Sequence, residues 1–285
     1  MKYVAVQSSR LGDRASNQDR CAILKKNNTI LLLLADGMGG RKRGELAAQK
    51  FIDVMSDAFQ HTNITAMGEV DFLRRSIQYA HAEIRLLGEN RVQTPCTTCV
   101  CCLVHENRAS WAHCGDSRLY HLRANEILFR TEDHSYVAHL VRHNALSSTE
   151  ARTHPMRHYV TSCLGINKKF PHISVQPPVP LLQNDVLLLC TDGLWQSTPA
   201  SDFHALGSCR NLERQLETLM EQVTRRNYPH CDNVSAVVFK LIDAVTTHRT
   251  AGSETNATGP ASELERAVQE IETAWSRYQQ EFNKK

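Results

Sequence analysis

Residues 31–40 read Leu31-Leu32-Leu33-Leu34-Ala35-Asp36-Gly37-Met38-Gly39-Gly40, an apolar run that stops on an aspartate and a glycine. A short unbroken apolar run bounded by turn residues reads as a strand. The same design returns at Val186-Leu187-Leu188-Leu189-Cys190-Thr191-Asp192-Gly193. A third strand, ending Trp111-Ala112-His113-Cys114, leads into Gly115-Asp116-Ser117-Arg118, and Asp232-Asn233 opens an apolar strand over residues 234–240. Asp19 closes the polar run Asn17-Gln18-Asp19 just after an early strand. Asp-Gly is also hairpin chemistry. Here, however, Asp36-Gly37 leads to further glycines and the basic cluster Arg41-Lys42-Arg43, not to a returning strand. Asp192-Gly193 leads to Leu194-Trp195 and a helix start near Pro199. Four aspartates at strand ends suit a site for a hard cation, which takes carboxylate, carbonyl and water oxygens. A glycine beside a ligand lets the backbone carbonyl approach the ion as well.

Working outward, further strands are expected over residues 3–8, 98–104, 109–114 and 118–122. Helices are expected over residues 45–59, 70–87 and 212–223, where apolar residues recur every three or four positions. Consecutive short strands with long helices to either side favour antiparallel sheets covered by helices over an alternating parallel sheet. Cys96, Cys99, Cys101 and Cys102 invite a zinc reading, but they fall on a strand whose neighbours point to opposite faces, so they read as core thiols.

The 285 residues suffice for one large domain and an appendage. A hydrophobic share of 41% with 22% charged residues fits a globular chain, and a net charge of +3 without a long basic tract argues against nucleic-acid binding. Neither a signal-peptide core nor a run of about 18 apolar residues is present, so no membrane span and a cytoplasmic location with reduced thiols are expected.

Nine motifs in order carry a family resemblance: Arg14-Ala15-Ser16-Asn17-Gln18-Asp19; Ala35-Asp36-Gly37-Met38-Gly39-Gly40 with Gly44-Glu45; Thr97-Thr98; Gly115-Asp116-Ser117-Arg118; Thr131-Glu132-Asp133-His134-Ser135; His154-Pro155-Met156-Arg157; Leu164-Gly165; Thr191-Asp192-Gly193-Leu194; and Asp232-Asn233. Together they resemble the PPM family of metal-dependent protein phosphatases (the protein phosphatase 2C type), in its bacterial branch, over residues 3–241. The resemblance implies an α+β fold, a four-layer αββα sandwich of two antiparallel sheets flanked by helix pairs, with a flap at about residues 135–163. It implies two core Mn²⁺ or Mg²⁺ ions and a third, weaker site. Asp36 would bridge the pair, with the Gly37 carbonyl as a further ligand. Asp192 and Asp232 would complete the first ion, Asp19 would hold the second partly through water, and Asp116 with Asp192 would form the third site. Arg14 would grip the substrate phosphate through its guanidinium fork. The implied reaction is hydrolysis of phosphoserine and phosphothreonine in phosphorylated proteins, by in-line attack of a metal-bridging hydroxide, with a serine/threonine kinase as counterpart.

Two departures stand out. Met38 occupies the place of a histidine proposed as general acid in animal members, and Arg41 follows Gly40 where bacterial members often carry histidine. The proton donor is therefore unassigned, and His113 and His134 are expected to be structural. Cys102 and Arg108 have the C-x-x-x-x-x-R spacing, but Cys102 falls on the strand read as core, so no cysteine nucleophile is supported. The alternatives are a dimetal phosphodiesterase or nuclease, disfavoured by the lack of a broad basic groove, and a catalytically weak or dead regulatory binding module, disfavoured because all five carboxylates are present.

Residues 242–262 read as a linker and residues 263–283 as an amphipathic helix. Ser262 and Glu265 form a capping-box pattern, and Leu264, Val268, Ile271, Trp275, Tyr278 and Phe282 make one apolar stripe. Packing on the catalytic domain and docking on a partner or a second copy are both open for this stripe.

Overall fold

The structure is a computed structural model describing residues 1–38, 43–88, 95–124, 126–166 and 170–243. Arg41, Lys42, the expected helix at 263–283 and the expected linker from residue 244 onward lie outside these described residues, while residues 242 and 243, expected to open that linker, end a strand instead.

Strands β1 (Lys2–Arg10), β2 (Asp19–Lys26) and β3 (Thr29–Met38) come first. Helices α1 (Gly44–His61), α2 (Ile64–Met67) and α3 (Glu69–Leu86) follow. Next are β4 (Cys96–Thr97), β5 (Cys99–His105), β6 (Arg108–Cys114), β7 (Arg118–Arg123) and β8 (Glu126–Arg130). Short helices α4 (Tyr136–Arg142) and α5 (Ser148–Ala151) precede β9 (Ser174–Pro180) and β10 (Val186–Cys190). The chain then forms α6 (Asp192–Trp195), a 3-10 turn at Ala200–Phe203, α7 (His204–Ser208), α8 (Leu212–Asn227) and β11 (Val234–Asp243).

One sheet runs β1-β11-β10-β7-β8 and the other β2-β3-β5-β6-β9, with β4 added beside β3. The pairings within both are antiparallel. The leucine run explains how the layers stack. Side chains alternate along a strand, so Leu31, Leu33 and Ala35 face α1 and α3, packing on Phe51, Met55, Leu73 and Ile77. Ile30, Leu32 and Leu34 face the other sheet, packing with Leu187, Leu189, Val237 and Phe239. In β10 the pattern repeats. Leu187 and Leu189 point between the sheets, while Val186, Leu188 and Cys190 meet α7 and α8 through Leu206, Leu216 and Met220. The layers are thus helix, sheet, sheet, helix. The four leucines are apolar without interruption because both faces of β3 are covered, and each fully buried leucine contributes about 1.5–3 kcal/mol.

The cysteines obey the same alternation. Cys99 and Cys101 face the helices and Cys102 faces the other sheet, so the thiols of β5 do not converge. All ten cysteines are free. Among the described residues, no helix is long and apolar enough to cross a membrane.

Candidate metal centre

The sandwich gathers one end of several strands. Asp19 opens β2 rather than closing a polar run, and the β2–β3 register sets it directly opposite Asp36. Asp192 begins α6 at the end of β10, Asp232 immediately precedes β11, and Asp116 lies in the turn from β6 to β7. Asp36 lies within electrostatic reach of the other four carboxylates, Asp19, Asp116, Asp192 and Asp232.

Contacts to the backbone hold two of them, Asp36 and Asp116. Thr97 Oγ1 donates to the Asp36 carbonyl at 2.8 Å, and the Thr98 N–H donates to the same oxygen at 2.9 Å. Thr98 Oγ1 also meets Ser117 Oγ at 2.7 Å, which ties the Asp36 strand to the Asp116 turn. That turn requires Gly115, whose φ is +111° and whose place a Cβ would fill 2.6 Å from Thr98. Behind the turn, Arg118 makes a two-pronged ion pair with Asp133, both contacts at 2.7 Å, and lies over the Trp195 ring. Trp195 Nε1 in turn donates to the Asp116 carbonyl at 3.0 Å. Arg118 therefore braces the Asp116 turn against α6.

Neither Asp-Gly pair forms a turn of the left-handed kind, since Gly37 and Gly193 are absent from the positive-φ residues. Their need is close approach. A Cβ on Gly37 would stand 2.3 Å from the Gly44 carbonyl group, and one on Gly193 would stand 2.1 Å from the Asn233 carbonyl oxygen. Each glycine lets a second chain segment press against the backbone beside a candidate ligand.

The electrostatics follow from the crowding. Asp19 is pushed up from its ordinary 3.8 to about 7, first by burial and then by the charges of Asp192 and Asp232, against hydrogen bonds from Ser235 and Thr191. Asp192 rises to about 6, by burial and then by Asp232. Asp36 and Asp116 are held well above the ordinary carboxylate range, by burial first and then by neighbouring carboxylates. Only a cation or protons can relieve such a cluster.

Among the described residues, no three His, Cys, Asp or Glu side chains are drawn together closely enough to hold a metal ion as they stand. Protein donors engage three of the carboxylates: Arg14 Nη2 donates to Asp232 Oδ2 at 2.7 Å, Gln196 Nε2 to Asp192 Oδ2 at 3.0 Å, and Thr191 Oγ1 to Asp19 Oδ2 at 3.0 Å. The donor set itself, all hard oxygen and electrostatically frustrated, fits Mn²⁺ or Mg²⁺.

Arg14 is exposed at the rim of the cluster. Its loop is stitched to the start of β11 by Asn233, a residue whose structural part the sequence did not reveal. The Asn233 side chain accepts from Gln18 N at 2.9 Å and donates to the Leu11 and Ser16 carbonyls at 2.7 and 3.1 Å. His113 and His134 are engaged by groups other than the five carboxylates. His113 Nε2 bonds the Glu132 carbonyl at 2.8 Å, while the two nitrogens of His134 meet the Gly115 N–H and Ser174 Oγ.

The Protein phosphatase 2C family profile matches residues 6–230. The chain is 31% identical over 235 residues to the serine/threonine phosphatase stp of Listeria welshimeri, covering 80% of this chain and 91% of that protein. It superposes on the serine/threonine phosphatase of S. agalactiae with a TM-score of 0.76 at 25% identity, covering 85% of this chain and all of the other. The catalytic domain of the serine threonine protein phosphatase PstP, solved in complex with two manganese ions, matches with a TM-score of 0.69 at 26% identity, over 85% of this chain and 99% of that domain.

Proposed function

The chain belongs to the protein phosphatase 2C family, and from that premise we propose that it hydrolyses phosphoserine and phosphothreonine in phosphorylated proteins at the carboxylate cluster. The observation that carries this reading is the convergence of five aspartates from separate strand ends under one exposed arginine. Asp36, the Gly37 carbonyl, Asp192 and Asp232 would hold one ion, Asp36 and Asp19 a second, and Asp116 with Asp192 a third and weaker one. When bound, Mn²⁺ or Mg²⁺ ions supply Lewis acidity at the phosphoryl oxygens and make a water acidic enough to ionise near neutral pH.

The chain's own residues do the rest. Arg14 stands over the cluster through its contact with Asp232 and can exchange that carboxylate for two phosphate oxygens, because its fork matches either. Asn233 fixes the Arg14 loop, and the Arg118–Asp133–Trp195 brace fixes the Asp116 turn. Preorganised charge of this kind acts without reorganisation cost during the reaction. Substrates of this type presuppose a serine/threonine kinase that supplies them. Free thiols and these substrates together suit a cytoplasmic enzyme.

The test compares para-nitrophenyl phosphate with bis(para-nitrophenyl) phosphate, each with Mn²⁺ and with chelator. Mn²⁺-dependent release from the monoester in strong preference to the diester is expected. Preference for the diester would favour the phosphodiesterase reading, and no release from either would favour the binding module.

A further inference from the structure

His158 lies in the segment between β8 and β9 and reaches the carboxylate cluster through one amide. Its Nδ1 is 3.4 Å from Gln196 Nε2, and that same Nε2 donates to Asp192 Oδ2 at 3.0 Å. Gln196 is the C-cap of α6, so Asp192 and Gln196 stand one helical turn apart on the same short helix. The charged groups that face His158 are Arg157, Asp232 and Arg14. Asp232 and Arg14 are themselves joined at 2.7 Å. The imidazole, the guanidinium that would hold phosphate and the cluster therefore share one rim.

The chemistry needs such a group. A seryl or threonyl alkoxide is a strong base and departs poorly unless it receives a proton as the ester bond breaks. Met38 cannot supply one. His113 and His134 are committed to the Glu132 carbonyl, the Gly115 N–H and Ser174. Among the histidines of the described residues, His158 is the one whose bonded partner also touches a carboxylate of the cluster.

We propose that His158 protonates the departing seryl or threonyl oxygen of the substrate held by Arg14. This rests on the phosphomonoester reading above. The ester P–O bond breaks with its electron pair staying on the leaving oxygen, and the proton on Nε2 passes to that oxygen to give the alcohol. The oxygen of the attacking water forms the new P–O bond and its proton goes to solvent, while a solvent proton restores the ring. Ester and water thus become alcohol and phosphate. In the neutral ring, donation from Gln196 makes Nδ1 an acceptor and leaves the hydrogen on Nε2, the nitrogen free to face substrate. In the charged ring, Nδ1–H is satisfied once the amide turns over and offers its oxygen. Burial, Arg157 and Arg14 disfavour the charged ring, and Asp232 favours it. The balance holds His158 below its ordinary value, and a phosphate bound at Arg14 adds negative charge beside the imidazole that works against this lowering.

The test measures kcat with saturating Mn²⁺ on a phosphothreonine peptide and on para-nitrophenyl phosphate for the full chain, His158→Ala and His158→Gln. Para-nitrophenolate is a weak base and leaves without a proton. Both variants are expected to lose about a hundredfold on the peptide, the usual scale of general acid catalysis, and to lose at least about tenfold less on the aryl ester. The Gln variant keeps a hydrogen-bonding side chain beside Gln196, so it tests the role even if the Ala variant misfolds. Equal losses on both substrates, no loss on either, or wild-type peptide turnover by His158→Gln would each overturn the assignment. Silence of the unaltered chain on both substrates would instead overturn the phosphatase reading and this assignment with it.

Discussion

Asp19 is a residue whose partner could not be found along the chain. Its neighbours Asn17 and Gln18 read as a loop, and nothing local announces that β2 begins at Asp19 and sets it across from Asp36. Asp36, Asp116, Asp192 and Asp232 were legible because each sets a charge at the end of an apolar strand, a costly pattern unless something compensates it. Asn233 and Gln196 were not legible as connectors, since a lone amide in a loop or helix end carries no periodic signal. The crowding has a pH consequence. Asp19 and Asp192 are raised from 3.8 to about 7 and about 6 in the folded protein. A carboxyl raised on folding contributes stability that is full below its unfolded value and is lost as pH rises through the folded value. The chelated protein is therefore expected to melt at progressively lower temperature as pH rises from about 4 to about 7. Added Mn²⁺ should restore the melting temperature most at the upper end. Calorimetric melts across that range check it, and a chelated protein that grows more stable from about pH 4 to about pH 7 would contradict the raised carboxylates.

At the scale of the element, the strands found most readily are those covered on both faces. β3 and β10 are apolar throughout because helices lie on one side and the other sheet on the second. Of the four edge strands, β1 was expected but β2, β8 and β9 hid. β9 contains Pro177 and Pro178, which argue against a strand, yet it pairs with β6 alone and carries a register shift there, as an edge strand tolerates. β8 is short and mostly exposed, and β2 mixes charge with apolar residues. The long helices followed their three-to-four spacing, while the short α4 and α5 had too few turns to show one. Close approach of β3 to α1 decides the next outcome. Gly37→Ala would drive a methyl against the backbone of Gly44 and Gln18, which cannot swing away like a side chain. A loss of at least about 1–3 kcal/mol is expected from such overpacking. Equilibrium urea unfolding measures it, and unchanged stability would mean that Gly37 serves only the carbonyl beside the candidate ion.

For the whole molecule, the sandwich closes with β11. Its last residue, Asp243, pairs with Lys2, and Leu241 exchanges backbone bonds with Asn184 and Asp185. Among the described residues, the last member of the three apolar clusters is Leu241. A chain ending at Asp243 is expected to fold cooperatively and to keep Mn²⁺-dependent hydrolysis of para-nitrophenyl phosphate. Loss of folding in that truncation would show that the apolar stripe at Leu264, Val268, Ile271, Trp275, Tyr278 and Phe282 belongs to the domain's own core. The arrangement of layers was readable from alternation, but the meeting of Asp19, Asp36, Asp116, Asp192 and Asp232 at one end depends on sheet order, which no single strand encodes. That meeting is most directly tested by phosphate release from a phosphothreonine peptide, measured on chelated protein before and after addition of Mn²⁺, with Asp36→Asn alongside. Removing one charge at Asp36, proposed above to serve two ions, would weaken metal binding and the acidity it lends to water. Turnover that appears only with Mn²⁺ in the unaltered chain, and stays at the chelated background in a folded Asp36→Asn, is the expected result. Near-normal Mn²⁺-dependent turnover in that variant would contradict the assignment of the cluster as the catalytic metal centre.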